Sequence, residues 1–93
     1  IKVEAHHDRF NVQTAANLVE RYDLILDCTD NFQTRYLAND AAVMACKPLI
    51  YGAIYRFEGQ AAVFDSKQGP CYRCVFPEPP AAELVPNCAE AGV

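Results

Sequence analysis

Four kinds of polar group in this 93-residue chain sit where type and spacing allow chemistry. Asp30 and Asn31 follow the apolar run Leu24-Ile25-Leu26 and precede Phe32, Tyr36 and Leu37, which recur with helical period. They would stand at the carboxyl end of a strand and the amino end of a helix, the place where open α/β sheets bind ligands. Free helix amides attract phosphate, and Mg²⁺ prefers one or two carboxylates plus phosphate oxygens. Asp30 is therefore a natural holder for a Mg²⁺ shared between protein and nucleotide. Helix capping explains the same acid more simply: Asp is a good N-cap, and Gln33 stands where a capping-box side chain would reach back. Asn31, Arg35 and Asn39 fall four residues apart and form one polar stripe starting at this mouth, which suggests a polar pocket without identifying it.

The cysteines are the second resource. Cys71-Tyr72-Arg73-Cys74 has the spacing at which one segment gives two thiolates to tetrahedral Zn²⁺, and the other two of the four ligands must come from elsewhere. A redox pair competes with this reading, but such a motif normally opens a helix, and the proline-rich sequence after Cys74 argues against one. Cys88, in Pro86-Asn87-Cys88-Ala89-Glu90, lies in a flexible polar stretch where a thiol can attack or be attacked; a dispensable thiol is the plain alternative. Cys28 and Cys46 read as small core residues. An odd total of five cysteines in a chain rich in aliphatic residues points to reduced thiols or metal ligands rather than a disulfide framework. His6 and His7 beside Asp8 lack a third ligand and read as a solvated loop. Arg56, Glu58 and Gln60, alternating in a strand, would share one solvated or partner-covered face.

The elements that must position these groups follow from periodicity. Ile1 to Ala5 alternates apolar and charged residues, as a strand wetted on one face would. Asn11 can cap a helix carrying Val12, Ala15, Ala16 and Val19 to about Arg21. Asp23 to Cys28 reads as a buried strand. A helix from Asn31 to about Cys46 would bury Leu37, Ala41 and Met44, with Tyr36 and Val43 widening the face; Lys47 suits its dipole and Pro48 stops it. Leu49 to Ala53 is the next strand, completing a parallel βαβ unit with a right-handed crossover. Phe57 to Phe64 follows after too few residues for a crossover and should be antiparallel. The tail with Pro77, Pro79, Pro80 and Pro86 should be extended or irregular.

Twelve Asp and Glu against eight Lys and Arg, for a net charge of −4, leave no basic stripe for nucleic acid. No apolar run approaches the roughly 20 residues of a membrane span and no signal-peptide pattern appears, so a cytoplasmic location is expected. Ninety-three residues support one small core but fall short of a complete doubly wound domain, so a piece of a longer protein is expected.

Leu24-Ile25-Leu26-Asp27-Cys28-Thr29-Asp30-Asn31 through Asp40, then Lys47 through Phe64 with Phe57-Glu58-Gly59-Gln60, Cys71-Tyr72-Arg73-Cys74, and Pro86-Asn87-Cys88 through Val93 resemble, in order, the MoeB/ThiF/HesA family of ubiquitin-activating-enzyme relatives. The resemblance covers nearly everything from Tyr22 to Val93. It implies an α/β, Rossmann-like three-layer sheet, with residues 1–93 as the central to C-terminal part of one adenylating domain and 70–93 as its zinc-knuckle and crossover-loop region. The implied activity is ATP-dependent adenylation of the C-terminal glycine of a ubiquitin-like sulfur carrier, in molybdopterin, thiamine or tRNA-thiolation pathways, by a homodimer. By the same resemblance Asp30 organises Mg²⁺ and the triphosphate, Asn31 and Arg35 join it in binding the nucleotide, Cys71 and Cys74 pair with a second CxxC beyond Val93, and Cys88 links covalently to the carrier in some relatives. The family's glycine turn, with its phosphate-binding arginine and lysine, precedes the matching region, so the segment alone is expected to be inactive. Two rival readings are a nicotinamide-dependent oxidoreductase half-domain, which lacks the glycine fingerprint and does not explain the CxxC, and a non-catalytic zinc-stabilised interaction module.

Overall fold

The computed structural model describes residues 1–79. Its elements run α1 (Val12–Glu20), β1 (Ile25–Asp27), α2 (Phe32–Met44), β2 (Leu49–Tyr55), β3 (Glu58–Phe64) and a single turn, α3 (Tyr72–Val75). The strands form one sheet in the order β1-β2-β3. β1 pairs parallel to β2, with α2 as the crossover, and β2 pairs antiparallel to β3 through a tight hairpin. The expected βαβ unit and its antiparallel addition are thus present.

Register decides which side chains meet. Ile25, Leu49 and Phe64 lie side by side across the sheet, as do Asp27, Tyr51 and Ala62. These rows face α2 and α3, and Tyr36, Ala38, Ala42, Leu49, Tyr51, Phe64 and Tyr72 form the buried cluster. The intervening row, Leu26, Ile50 and Val63, points to the opposite face because side chains alternate along a strand. Leu26 and Val63 are 63% and 67% exposed there. Within the described residues only one face of the sheet, and so only one face of β1, is covered.

Several other expectations are corrected. Ile1 to Ala5 forms no strand, for an alternating pattern makes a strand only where a neighbour supplies its hydrogen bonds, and none among the described residues pairs with it. α2 is rotated relative to the predicted face: Tyr36, Ala38, Asn39 and Ala42 are buried, whereas Met44 is 85% exposed. Cys28 and Cys46 are exposed rather than core residues. Arg56 belongs to the hairpin turn with a positive φ of 54°, so it does not continue the face of Glu58 and Gln60.

The carboxyl end of α2 explains the exposure of Cys46. At its carboxyl end the Cys46 N–H donates to the Val43 carbonyl and the Lys47 N–H to the Ala42 carbonyl, at 3.1 and 2.8 Å. This is a Schellman closure, and it requires a left-handed residue, a place Cys46 fills at φ 58°. A residue in that conformation projects from the helix end instead of packing. α1 starts as expected, with Asn11 accepting from the Gln13 and Thr14 N–H groups and Thr14 Oγ1 accepting from Asn11 N–H.

Candidate functional site

The turn between β1 and α2 is held from two sides. From the strand side, Asp27 Oδ1 accepts from the Thr29 N–H at 2.9 Å and from the Thr29 hydroxyl at 2.6 Å. From the helix side, Arg35 Nη2 donates to the Thr29 carbonyl at 2.9 Å. The Arg35 guanidinium also lies 5.4 Å from the ring centroids of both Phe32 and Tyr51, near enough for cation–π attraction. Asp27 is only 3% exposed. Its Oδ2 and Arg35 Nε are buried without a hydrogen-bond partner among the described residues. Such an orphan costs on the order of 1–3 kcal/mol.

Asn31, not Asp30, caps α2: its Oδ1 accepts from the Thr34 N–H at 2.8 Å. The cap thus falls one residue later than the expected Asp30–Gln33 capping box. Asp30 is exposed, one position outside the cap, in the turn that Asp27 and Arg35 fix. A cleft of about 740 Å³ opens between the segment preceding α1 and the first turns of α2, lined among others by His7, Asp8, Arg9, Asn11, Asn31 and Gln33; of the expected nucleotide-binding residues it takes in Asn31, while Asp30 and Arg35 are not in its lining. The helix-start residues Asn11 and Asn31 both line it, so the positive ends of α1 and α2 converge on one opening. His6 and His7 are exposed loop residues as expected, although His7 contributes to the cleft.

The polar stripe of α2 runs inward, not along an open pocket. Asn39 is 1% exposed. Its Oδ1 accepts from the Tyr72 N–H at 2.9 Å, and its Nδ2 lies 3.6 Å from Cys71 Sγ and 3.3 Å from Asp40 Oδ1. The CxxC segment is thereby fastened to α2. Arg73 adds a two-pronged bond to Asp40 at 3.1 and 2.8 Å and lies over the Tyr36 ring, 4.7 Å from its centroid. Tyr72 itself is packed edge-on or tilted against Tyr36, Tyr51, Phe64 and Phe76. Burial, reinforced by Tyr51 and Tyr36, pushes its hydroxyl up to about 12.

Contrary to expectation, the CxxC does open a helical turn, Tyr72–Val75, with Cys71 at its start. Proline does not prevent one turn, since the first one after Cys74, Pro77, comes only after the turn has closed. Cys71 Sγ and Cys74 Sγ are 3.6 Å apart. Two sulfurs at about 2.3 Å from a tetrahedral zinc would be separated by about 3.8 Å, so the pair fits half of such a shell. Among the described residues no group of three or more His, Cys, Asp or Glu could complete it. Burial raises the Cys71 thiol, but hydrogen bonds from Asn39, then from Cys74 and Arg73, outweigh it and bring it below its usual value. Cys88 lies outside the described residues.

Sequence reasoning missed Asp27 and assigned Asn39 to the wrong kind of environment. A charged residue in phase with Ile25 on a core-facing strand was the available sign for Asp27. For Asn39 it was the four-residue spacing itself, which marks a face without saying whether solvent or protein covers it. Gln60 is likewise engaged, its Oε1 accepting from the Tyr51 hydroxyl at 3.1 Å.

The whole chain, residues 1–93, matches the ThiF family. It is 53% identical over its full length to the sulfur carrier protein adenylyltransferase of Thermus thermophilus, of which it covers 36%. It is 56% identical, again over its full length, to the probable adenylyltransferase/sulfurtransferase MoeZ of Mycobacterium tuberculosis, covering 25% of that protein. With the adenylyltransferase and sulfurtransferase MOCS3 of Sus scrofa it shares 59% identity over 86% of its own length and 18% of the relative's. The chain thus spans roughly a fifth to a third of these relatives.

Proposed function

The chain belongs to the ThiF family, and from that membership we propose that it is the central part of an adenylyltransferase domain that activates the C-terminal glycine of a ubiquitin-like sulfur carrier with ATP. The observation that carries this reading is the mouth itself: Asp30 and Asn31 stand where a parallel strand ends and α2 begins, and Asn31 lines the cleft that opens there. The names of its relatives point the same way, and none of those quoted favours a nicotinamide-dependent enzyme or a non-catalytic module.

In this reading the carrier carboxylate attacks the α-phosphorus of ATP, an acyl-adenylate forms and pyrophosphate leaves. Asp30 offers a hard oxygen ligand of the kind Mg²⁺ takes, and when bound the ion would neutralise phosphate charge. The paired helix starts favour the triphosphate, with Asn31 oriented by its cap bond and Arg35 holding the turn from behind. Cys71 and Cys74 form half of a zinc site whose other ligands lie elsewhere in a longer chain, and Cys88 serves as an auxiliary thiol toward the carrier. The open sheet face carrying Leu26 and Val63 is covered in the complete three-layer domain, which works as a cytoplasmic homodimer in molybdopterin, thiamine or tRNA thiolation.

The test is carrier-dependent ATP–pyrophosphate exchange by the full-length protein. Losing one electrostatic stabiliser costs on the order of 3–4 kcal/mol, so Asp30→Ala should lower exchange by about two to three orders of magnitude. Normal exchange by that variant would refute the assignment.

A further inference from the structure

The buried acid beneath the mouth is an expensive way to build a turn. The oxygen of an asparagine could accept from the Thr29 N–H and hydroxyl as Asp27 Oδ1 does, without burying an anionic Oδ2 that finds no partner among the described residues. Arg35 is equally committed: one nitrogen holds the Thr29 carbonyl, two rings flank the guanidinium, and its Nε is buried unpartnered among the described residues. Both side chains therefore grip the same residue, Thr29, from opposite ends of the turn. The next residue is Asp30. With the peptide groups on either side of Thr29 tied down and Asn31 fixed by its cap bond, little backbone freedom remains at position 30.

We propose that Asp27 and Arg35 are a positioning pair, which clamps Thr29 so that the intervening turn presents the Asp30 carboxylate in one direction to the cation of a bound nucleotide. This role presupposes the nucleotide reading of the mouth. Neither residue touches the reacting atoms; each acts through Asp30. The clamp also accounts for the tolerance of orphaned polar atoms here, since strained or unsatisfied groups persist where a site must be held rigid.

The test is a double-mutant cycle read by binding rather than turnover: calorimetric affinity of the full-length protein for Mn²⁺·ATP, with thermal unfolding measured alongside. Asp27→Ala removes both bonds to Thr29 and should weaken Mn²⁺·ATP about tenfold, whereas Asp27→Asn, which keeps an acceptor, should stay within about threefold of wild type. The same Asp27→Ala change in an Asp30→Ala background should cost less than about twofold, because the residue it positions is gone. Should Asp27→Ala fail to fold, Thr29→Val removes only the hydroxyl bond and should weaken binding about threefold, again only when Asp30 is present. An equal loss with and without Asp30, or unchanged affinity in a folded Asp27→Ala protein, would overturn the positioning role alone. Wild-type protein that binds no Mn²⁺·ATP would overturn the nucleotide reading as well.

Discussion

Replacing Asn39 by leucine should detach the CxxC turn from α2, and the cost can be worked from its contacts. Asn39 is essentially inaccessible, and its Oδ1 is the acceptor for the buried Tyr72 N–H. Leucine is close in size but cannot accept, so the Tyr72 N–H is left unsatisfied at a cost of about 1–3 kcal/mol. The weak N–H···S contact to Cys71 is lost too, while leucine recovers part of the deficit by burying apolar surface. A net loss of about 2 kcal/mol is expected, and it lowers the unfolding midpoint of the full-length protein. Thermal and urea unfolding of Asn39→Leu followed by circular dichroism measures the loss, and thiol labelling of Cys71 and Cys74 reports detachment directly. Labelling should be faster in the variant under native conditions. Stability within about 0.5 kcal/mol of wild type, with unchanged labelling, would show that Asn39 does not hold the turn and that the aromatic packing of Tyr72 suffices.

Because Asn31 is the cap, Asn31→Ala should cost about 1 kcal/mol and Asn31→Ser little; chemical denaturation ranks the two against wild type. Cys46 occupies the left-handed position of the α2 closure, so Cys46→Gly should stabilise the chain by about 1 kcal/mol, a rise in melting temperature that a cap without positive φ would not give. Tyr72 has a hydroxyl raised from 10.0 to about 12 by burial, so its neutral form is favoured in the folded state: that contribution is complete below pH 10 and is lost as pH climbs toward about 12. Alkaline unfolding in this window, monitored with tyrosinate absorbance, should be blunted in Tyr72→Phe.

The local order of elements was legible before any coordinates. α1 begins at Asn11, Pro48 precedes β2, and the link between β2 and β3 is too short for anything but a hairpin; each depends on neighbours in the chain. The turn holding Asp30 was legible for the same reason, as a polar cluster between an apolar run and a helical period. Even so, the sequence could not choose between Asp30 and Asn31 as the cap, because both side chains can accept from a helix N–H and only the backbone geometry at the first turn selects one.

What the chain alone determined, then, is which segments become helix or strand, since periodicity, caps and breakers act over a few residues. What tertiary structure decided is which side of each element is inside. Met44 and Asn39 lie on the same helix, yet the apolar one is in water and the polar one is buried, because Tyr72 delivers an N–H donor to position 39 from a distant part of the chain. Asp27 is buried for a like reason: the register that sets Ile25 against Leu49 turns position 27 to the core face, where Thr29 and Arg35 close around the turn. Burial belongs to pairs of surfaces, and a single strand or helix carries only one of the two.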